Sequence, residues 1–282
     1  MIIIRAKYLG FCEGVKMAIE KTNKALRESK KKIFVMGPLI HNRQVIKKLS
    51  KEGLKIIEDL NELNKDGILI VRTHGLPEPK IKKAIAMGVN IVDATCYKVK
   101  SLHKLAKQLV KEGYQLVLIG DHDHAEVGAI KESIKDNVVV ISSPDEVEKN
   151  KLSRKIGIVV QTTQREENFS KIVNKILEKV EELKVFNTIC KASILRQNAA
   201  YELSKNVDLM IVIGGRDSAN TNRLAEICQG NAETYHIETK DELKKSWFRG
   251  KKKIGITAGA STPNWIIEKV EKEIERICTK SK

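Results

Sequence analysis

The stretch Val92-Asp93-Ala94-Thr95-Cys96-Tyr97-Lys98-Val99-Lys100 decides the fold of this chain. An apolar run ends within it, and an amphipathic helix pattern begins directly after Cys96. The chain repeats this arrangement twice more, once around Cys12 and once around Cys190. The sequence therefore predicts three cysteines at three strand-to-helix junctions, and we expect the fold to bring their sulfurs together.

The composition is that of a globular protein with an ordinary core. Hydrophobic residues make up 41% of the 282 residues, and the longest apolar runs are only strand-sized. We therefore expect no membrane-spanning segment. The N-terminus lacks the pattern of a signal peptide, so we expect a cytoplasmic protein. In a reducing cytosol, five cysteines favour metal ligands or catalytic thiols over disulfides.

The net charge of +16 raises the alternative of a nucleic-acid-binding protein. The lysines, however, are spread over many predicted helix faces, and aromatic residues that could stack on bases make up only 4%. We therefore predict no nucleic-acid partner. A positive surface would also attract an anionic substrate or an acidic electron donor.

The segments between the cysteines repeat in the same order. Each cysteine precedes a helix, a strand that ends in glycine, a second strand, an acidic turn, a third strand and a last helix. The predicted helices after the cysteines cover 13–30, 97–112 and 192–206, and the last helices cover 80–87, 169–183 and 263–277. Strands that alternate with helices predict parallel sheets with right-handed crossovers.

The fold class predicted from this repeat is α/β, with three α/β modules related by pseudo-threefold symmetry. The modules cover 12–95, 96–189 and 190–282. The first two each end in a fourth strand, which the third lacks. We expect the N-terminal residues 1–11 to supply it through Ile2-Ile3-Ile4. The modules would then form a trefoil-like ring around a central metal cluster.

Polar loops recur at the predicted carboxyl ends of the strands, where parallel α/β sheets bind ligands. The first loops carry a polar residue 28 or 29 positions after each cysteine, and the second loops carry another 62 to 71 positions after it. These residues are His41, His124 and Ser218 in the first loops and His74, Thr162 and Ser261 in the second loops. We expect all six loops to face one cavity with the cysteines.

Three converging thiolates suit a soft metal centre. A structural zinc site is normally closed by a fourth ligand, often from a C-x-x-C pair, which this chain lacks. An iron–sulfur cluster with three cysteine ligands would keep one iron open for a substrate. A zinc hydrolase that uses the same cysteines stays open as an alternative. Cys228 and Cys278 break the repeat, and we interpret both as structural.

Polar hydrogen-bond donors dominate the candidate substrate-binding residues, which are His41, His74, His124, Ser218, Asn220 and Ser261. Such a set, without a matching run of acids, suits an anion with several oxygens, such as a diphosphate. The chain has no Walker loop and no dinucleotide fingerprint. Glu126 is the candidate proton donor, because an enclosed carboxyl can have a raised pKa. The alternative role for Glu126 is stabilisation of a helix first turn.

Over essentially its whole length, the sequence resembles the 4-hydroxy-3-methylbut-2-enyl diphosphate reductases of the non-mevalonate isoprenoid pathway. The order and spacing of nine motifs carry the resemblance. The motifs are Gly10-Phe11-Cys12-Glu13-Gly14-Val15, His41-Asn42, His74-Gly75, Asp93-Ala94-Thr95-Cys96, His124-Ala125-Glu126-Val127, Gln161-Thr162-Thr163, Thr188-Ile189-Cys190 with Arg196-Gln197, Ser218-Ala219-Asn220 and Gly259-Ala260-Ser261-Thr262-Pro263.

The resemblance implies a trefoil of three modules and a reductive dehydroxylation that yields isopentenyl and dimethylallyl diphosphate. It implies one 4Fe–4S cluster per chain, held by Cys12, Cys96 and Cys190. It further implies that the diphosphate is bound by His41, His74, His124, Ser218, Ala219, Asn220 and Ser261. By the same resemblance, Thr162 orients the substrate hydroxyl and Glu126 starts proton delivery. A ferredoxin or flavodoxin would supply the electrons.

The sequence departs from the family pattern at a few positions. Tyr97 and Ala125 stand where the family usually has proline, and Ser193 replaces a common threonine. Ala219 stands where some members have serine, so one hydrogen bond to the diphosphate is missing or comes from the backbone. None of these departures removes a cluster ligand or the proposed acid.

Overall fold

The computed structural model describes residues 1–134 and 137–279. In these residues the strands are β1 Ile2–Arg5, β2 Ile33–Met36, β3 Leu54–Ile57, β4 Ile68–Val71, β5 Asn90–Asp93, β6 Gln115–Ile119, β7 Val138–Ile141, β8 Lys155–Val160, β9 Glu182–Val185, β10 Leu209–Ile213, β11 Glu233–Ile237 and β12 Lys253–Ala258. The α-helices are α1 Glu13–Glu28, α2 Arg43–Lys51, α3 Glu78–Ala86, α4 Tyr97–Lys111, α5 Ala125–Ile134, α6 Glu166–Leu177, α7 Lys191–Ser204, α8 Ala219–Gln229 and α9 Asn264–Thr279.

The described strands form three four-stranded sheets with the same topology. The strand orders are β3-β2-β4-β5, β7-β6-β8-β9 and β11-β10-β12-β1, and each neighbouring pair is parallel. The predicted α/β class with parallel sheets is confirmed. The repeated order of segments in the sequence therefore corresponds to a repeated sheet.

The N-terminal strand completes the third sheet, as the sequence predicts. β1 pairs in parallel with β12, with Ile2 opposite Lys253 and Arg5 opposite Ile256. It takes the place that β5 and β9 take in the other two sheets. An edge strand from the start of the chain thus satisfies the backbone groups along one side of β12.

The hydrogen-bond ladders continue past the strand ends in the same way in each sheet. Gly37, Gly120 and Gly214 directly follow β2, β6 and β10. Each donates its amide to the last residue of the adjacent outer strand. The amide-to-carbonyl distances are 2.9 Å for Gly37–Ile57, 3.0 Å for Gly120–Ile141 and 2.9 Å for Gly214–Ile237. These bonds fix where the first polar loop leaves each sheet.

The central strands are buried on both faces, which explains their continuous apolar sequences. In β10, Leu209, Ile211 and Ile213 pack in a cluster with α9, whereas Met210 and Val212 pack on the opposite face with residues of α7 and α8. In the second sheet, residues of β6 and β8 pack with α4 and α5. Each sheet therefore has a core of its own.

One predicted helix ends earlier than expected. The periodicity predicts a helix over 169–183, but α6 ends at Leu177 and Glu182–Val185 form β9. The amide of Glu181 donates to the Arg154 carbonyl at 2.9 Å, at the start of the pairing with β8. Backbone pairing with the edge of β8 outweighs the local helical pattern, because it satisfies a row of backbone groups.

The chain divides into two compact units. One comprises Met1–Val15, His41–Val45 and the described residues from Lys191 onward, and it contains the third sheet. The other comprises Lys16–Ile40 and the described residues of Ile46–Cys190, and it contains the first two sheets. Helices long and apolar enough to span a membrane are not found among the described residues.

The close packing of Gly157 against α4 gives a first test of the fold. A Cβ at this position in β8 would lie 2.7 Å, 2.9 Å and 3.0 Å from three side-chain carbons of Leu109. We expect Gly157→Ala to lower the free energy of unfolding by about 1–3 kcal/mol, because the core has no space for the methyl group. Urea unfolding followed by far-UV circular dichroism measures the change.

Three further variants separate this clash from other effects. Leu109→Ala alone should cost about 2–5 kcal/mol, and the double variant should cost less than the sum, because the new methyl group enters the vacated space. Gly230→Ala is the matched control, since its Cβ would make only an ordinary contact at 3.6 Å. Equal stability of Gly157→Ala and the wild type would contradict the packing described.

Candidate active site

The three cysteines of the repeat occupy equivalent positions in the three sheets. Each directly precedes a helix, and each donates its amide to the carbonyl found two residues after the neighbouring strand. The distances are 3.1 Å for Cys12–Ala260, 3.0 Å for Cys96–Thr73 and 2.9 Å for Cys190–Thr162. Among the described residues none of the three forms a disulfide, and all three are partly accessible. A helix N-terminus stabilises the negative charge that a metal-bound thiolate carries.

Short turns position two of the cysteines, Cys96 and Cys190. The Asp93 side chain accepts from the amide of Thr95 at 2.9 Å, and the Asn187 side chain accepts from the amide of Ile189 at 3.1 Å. Asp and Asn favour such turns because their side-chain oxygens reach the amide two residues on. The same local chemistry therefore turns the chain into Cys96 and into Cys190.

A different local structure positions Cys12. Gly10 has φ +76, a conformation that glycine adopts without strain. Arg196 of α7 is buried and donates to the Gly10 carbonyl from Nη2 at 2.7 Å and from Nε at 3.2 Å. The Arg196-Gln197 segment thus lies beside the cysteine loop, and Arg196 restrains the residue two positions before the thiol.

The other two cysteines have different surroundings, in keeping with the structural role predicted for them. Cys228 is fully buried in α8, its Sγ is 3.9 Å from the Ala200 carbonyl, and burial raises its pKa to about 12. Cys278 lies on α9 with its Sγ 3.0 Å from Met1 Sδ, and burial raises its pKa. Neither occupies the strand-to-helix position that the three repeat cysteines share.

Glu126 and Thr162 form a buried pair. Glu126 is 1% exposed, and its two carboxylate oxygens accept hydrogen bonds from the Thr162 amide at 2.7 Å and the Thr162 hydroxyl at 2.8 Å. Burial raises the pKa of Glu126 to about 7, although both hydrogen bonds act in the opposite direction. A carboxyl with this pKa holds a proton near neutral pH and can also release it.

His124 and His74 lie together at the ends of neighbouring loops. Their ring centroids are 5.5 Å apart, with the ring planes at 89°. The amide of Glu126 donates to Nδ1 of His124 at 3.2 Å, so the neutral ring carries its proton on Nε2. Nδ1 of His74 is 3.3 Å from the hydroxyl of Thr73, which donates to the Leu39 carbonyl at 3.0 Å.

His41 is held by loops of the third sheet. The Ser261 hydroxyl donates to the His41 carbonyl at 3.0 Å, and a Cβ on Gly215 would lie 2.6 Å from the same oxygen. Arg43 pairs with Asp217 at 2.9 Å. The sequence predicts both His41 and Ser261 as binding residues, but only the fold shows that they contact each other.

The N-terminus of α8 provides the other predicted diphosphate ligands. Ser218 caps this helix, and its side chain accepts from the Thr221 amide at 3.4 Å. Asn220 is 4% exposed, and neither its amide nitrogen nor its amide oxygen has a partner among the described residues. Ala219 is the first helical residue, so its backbone amide points out of the helix end. This helix end suits an anion.

Each compact unit holds half of the predicted set. One unit contains Cys12, His41, Ser218, Ala219, Asn220 and Ser261, and the other contains Cys96, Cys190, His74, His124, Glu126 and Thr162. Within the second unit, the structure joins Glu126 to Thr162 and His74 to His124. Within the first, it joins His41 to Ser261.

Gln161 belongs to the motif Gln161-Thr162-Thr163, but the sequence predicts no role for its side chain. Its side chain is buried and links two loops, because Oε1 accepts from the Asp121 amide at 2.8 Å and Nε2 donates to the Thr163 hydroxyl at 2.7 Å. A Cβ on Gly120 would lie 2.8 Å from Oε1. A polar residue directly after the wholly apolar end of β8 is the signal that could have identified it.

The chain matches known proteins over nearly its whole length. The family model described as LytB protein matches residues 3–275. The chain is 44% identical to the 4-hydroxy-3-methylbut-2-enyl diphosphate reductase of Pelobacter propionicus over 282 residues, which is 100% of both chains. It is also 44% identical to the reductase of the same name from Aquifex aeolicus, covering 98% of this chain and 96% of the relative.

Two solved structures have the same fold. One is (E)-4-hydroxy-3-methyl-but-2-enyl diphosphate reductase, described as the terminal enzyme of the non-mevalonate pathway. It is 40% identical with a TM-score of 0.72, and the match covers 98% of this chain and 100% of that chain. The other is E-1-hydroxy-2-methyl-but-2-enyl-4-diphosphate reductase from Plasmodium falciparum. It is 30% identical with a TM-score of 0.92, and the match covers 97% of this chain and 87% of that chain. On this evidence the chain belongs to the LytB family, as do these diphosphate reductases.

Proposed function

We propose that this enzyme removes the hydroxyl group of (E)-4-hydroxy-3-methylbut-2-enyl diphosphate by reduction, in the last step of the non-mevalonate isoprenoid pathway. Two electrons and two protons enter, the C–O bond breaks, and the products are water and isopentenyl or dimethylallyl diphosphate. The observation that carries the proposal is the equivalent placement of three cysteines at the strand-to-helix junctions of three sheets. The full-length similarity to reductases of this name supports it.

The cysteines fit the cofactor that this function requires. Cys12, Cys96 and Cys190 would hold one 4Fe–4S cluster per chain, each from a different module. The modules proposed are 12–95, 96–189 and 190–282, the last completed by 1–11. When bound, such a cluster supplies single electrons and a Lewis-acidic iron with an open coordination position. The soft thiol set, with no close-spaced cysteine pair, favours this cluster over structural zinc.

The residues that would bind the diphosphate are His41, His74, His124, Ser218, Asn220 and Ser261, with Ala219 contributing through its backbone amide. Asn220 supports this role, because its buried amide group has no partner among the described residues. Such an orphaned group is costly unless a ligand or water satisfies it. Ser261 donates its one hydroxyl proton to His41, so binding of a diphosphate oxygen would exchange one acceptor for another.

Glu126 and Thr162 would orient the substrate and deliver a proton. The Thr162 hydroxyl donates to Glu126 Oε2 at 2.8 Å and keeps lone pairs that can accept from a substrate hydroxyl. When Glu126 is protonated, this hydrogen bond would run in the opposite direction, from the carboxyl to the Thr162 oxygen. The hydroxyl proton of Thr162 could then be donated to the departing hydroxyl group while the Glu126 proton replaces it. The raised pKa of Glu126 keeps that proton available near neutral pH.

A small acidic ferredoxin or flavodoxin is the proposed electron donor. The net charge of +16 supports an acidic partner, because opposite charges speed association. We also propose a cytoplasmic location. Disulfides are not found among the described cysteines, which is consistent with a reducing compartment.

The metal content tests the cofactor. Protein purified without oxygen should contain about four iron and four sulfide per chain, and Cys12→Ser, Cys96→Ser or Cys190→Ser should lose most of both. Cys228→Ser and Cys278→Ser are the matched controls and should retain them, because these thiols lie outside the repeat positions. A colourless wild-type protein with one zinc per chain would instead favour the hydrolase alternative.

The rate of turnover tests whether Glu126 is the proton donor. We expect Glu126→Gln to retain the iron and sulfide of the wild type and to lose activity by about a hundredfold or more, because an amide cannot deliver a proton. Glu132→Gln is the control, since Glu132 lies on the same helix but pairs at the surface with Lys80. Full activity of Glu126→Gln on the diphosphate substrate would remove Glu126 from the proposal.

The pH dependence of stability tests the pKa of Glu126. The unfolded chain ionises this carboxyl near pH 4.5, whereas the folded chain does so only near pH 7. The stability that the protonated group contributes is therefore complete below pH 4.5 and is lost as the pH rises to about 7. Relative to Glu126→Gln, the wild type should lose about 3 kcal/mol across this range in urea unfolding. A constant difference across the range would show that the pKa is not raised.

A further inference from the structure

The turn that carries His74 consists of Arg72-Thr73-His74-Gly75. The Gly75 amide donates to the Arg72 carbonyl at 3.0 Å, and Gly75 has φ +80. Thr73 attaches the turn to the first loop through its hydrogen bonds to Leu39. The position of the His74 ring therefore depends on the conformation of these four residues.

Cavities flank the segment that follows this turn. One has a volume of about 300 Å³, and its wall includes Leu76, Pro77 and His124. The other has a volume of about 410 Å³, and its wall includes Gly75, Leu76 and His103. Leu76 itself packs in the core of the first sheet, and the turn before it makes several hydrogen bonds.

The Arg72 side chain supplies one of these hydrogen bonds. Its Nε donates to the Gly75 carbonyl at 3.4 Å, a long bond, so Arg72 contacts Gly75 through both its backbone and its side chain. Among the described residues, no carboxylate lies within ion-pair distance of the guanidinium. Burial lowers the pKa of Arg72, and Glu58 partly opposes this effect. Arginine nevertheless stays charged in proteins.

Gly37 leaves the space that the guanidinium occupies. A Cβ on Gly37 would lie 2.6 Å from Nη1 of Arg72, so the end of the Arg72 side chain would have to shift to admit it. Gly37 also has φ +64, a region that favours glycine. Glycine therefore suits the position in the first loop that faces the Arg72 side chain, at the start of the His74 turn.

The charges around the smaller cavity argue against a second anion site. Lys80 pairs with Glu132 at 3.2 Å, and Glu58 and Asp123 also line the wall. The wall around Arg72 therefore carries acids as well as bases. A positioning role fits this environment better than ligand binding does.

We propose that Arg72 is a positioning residue that holds the His74 turn in the conformation needed for diphosphate binding, and that Gly37 is required to leave room for its guanidinium. The proposal rests on the proposed function, in which His74 binds the diphosphate. Arg72 acts through the turn and does not itself contact the substrate.

The first experiment measures diphosphate binding directly. Inorganic diphosphate is titrated calorimetrically into the holoenzyme purified without oxygen. Arg72→Met keeps the aliphatic stem and removes the hydrogen bond, so it should weaken binding about tenfold. The KM for the substrate should rise by a similar factor, while kcat should change much less, because Glu126 and Thr162 are untouched. Arg72→Met with wild-type affinity would overturn the proposal.

A double-variant cycle tests whether Arg72 acts through His74. His74→Ala should weaken diphosphate binding, and adding Arg72→Met should weaken it no further. An unchanged tenfold effect of Arg72→Met in the His74→Ala background would show that Arg72 acts elsewhere. Wild-type binding by His74→Ala would refute the proposal together with the assignment of His74. The reductase function would then still stand or fall on the iron content and turnover.

The Gly37 variants test the steric part. Gly37→Ala should weaken diphosphate binding to a similar extent as Arg72→Met, and the two changes together should be less than additive. Gly88→Ala is the matched control, because Gly88 also has positive φ, +80, but a Cβ there would meet no atom within 4 Å. Gly88→Ala introduces backbone strain without a steric clash, and we expect it to bind diphosphate as the wild type does. Equal effects of Gly37→Ala and Gly88→Ala would remove Gly37 from the proposal.

Discussion

The backbone hydrogen bond from each repeat cysteine to the loop of the neighbouring strand is the constraint on which the candidate site depends. The three bonds have nearly equal lengths, and each acceptor lies two residues beyond the end of its strand. The bond fixes both the cysteine and the second polar loop of the same sheet. Thr162 illustrates the coupling, because its carbonyl accepts from Cys190 while its amide and hydroxyl donate to Glu126.

Glu126 shows how burial and hydrogen bonding compete at this site. Two hydrogen bonds from Thr162 stabilise the charged carboxylate, but the loss of water costs more, so the pKa rises to about 7. An exposed glutamate at the start of α5 would simply stabilise the helix and remain charged. Burial of the first turn of α5 therefore converts a common helix residue into a candidate acid.

The departures from the family pattern lie where the fold tolerates them. Tyr97 is the first residue of α4, and its side chain is 57% exposed. Ala125 begins α5, so proline is not needed there to start the helix. Ala219 begins α8, where the backbone amide remains at the helix end whatever the side chain is. These positions change side chains without changing the hydrogen bonds that place the cysteines.

Much of the fold could be predicted because local sequence patterns encode it. The repeated alternation of strands and helices predicted three parallel sheets. The missing fourth strand of the third module predicted that the N-terminal strand joins the third sheet, where the structure pairs it with β12. The helix over 169–183 was predicted too long, because a helical pattern cannot reveal that an edge of β8 is available to Glu182–Val185. The repeat spacing also identified the cysteines and most candidate ligands.

Contacts between the loops were decided only by the tertiary structure. Glu126 and Thr162 are 36 residues apart, and His41 and Ser261 are 220 apart. The contact between Gly37 and Arg72 also joins separate loops of one sheet. The sequence by itself determined which residues follow the strands, since neighbouring residues set the hydrophobic period and the turns. Which of those residues meet depends on strand order and register, because these alone bring distant loops to the same edge of a sheet.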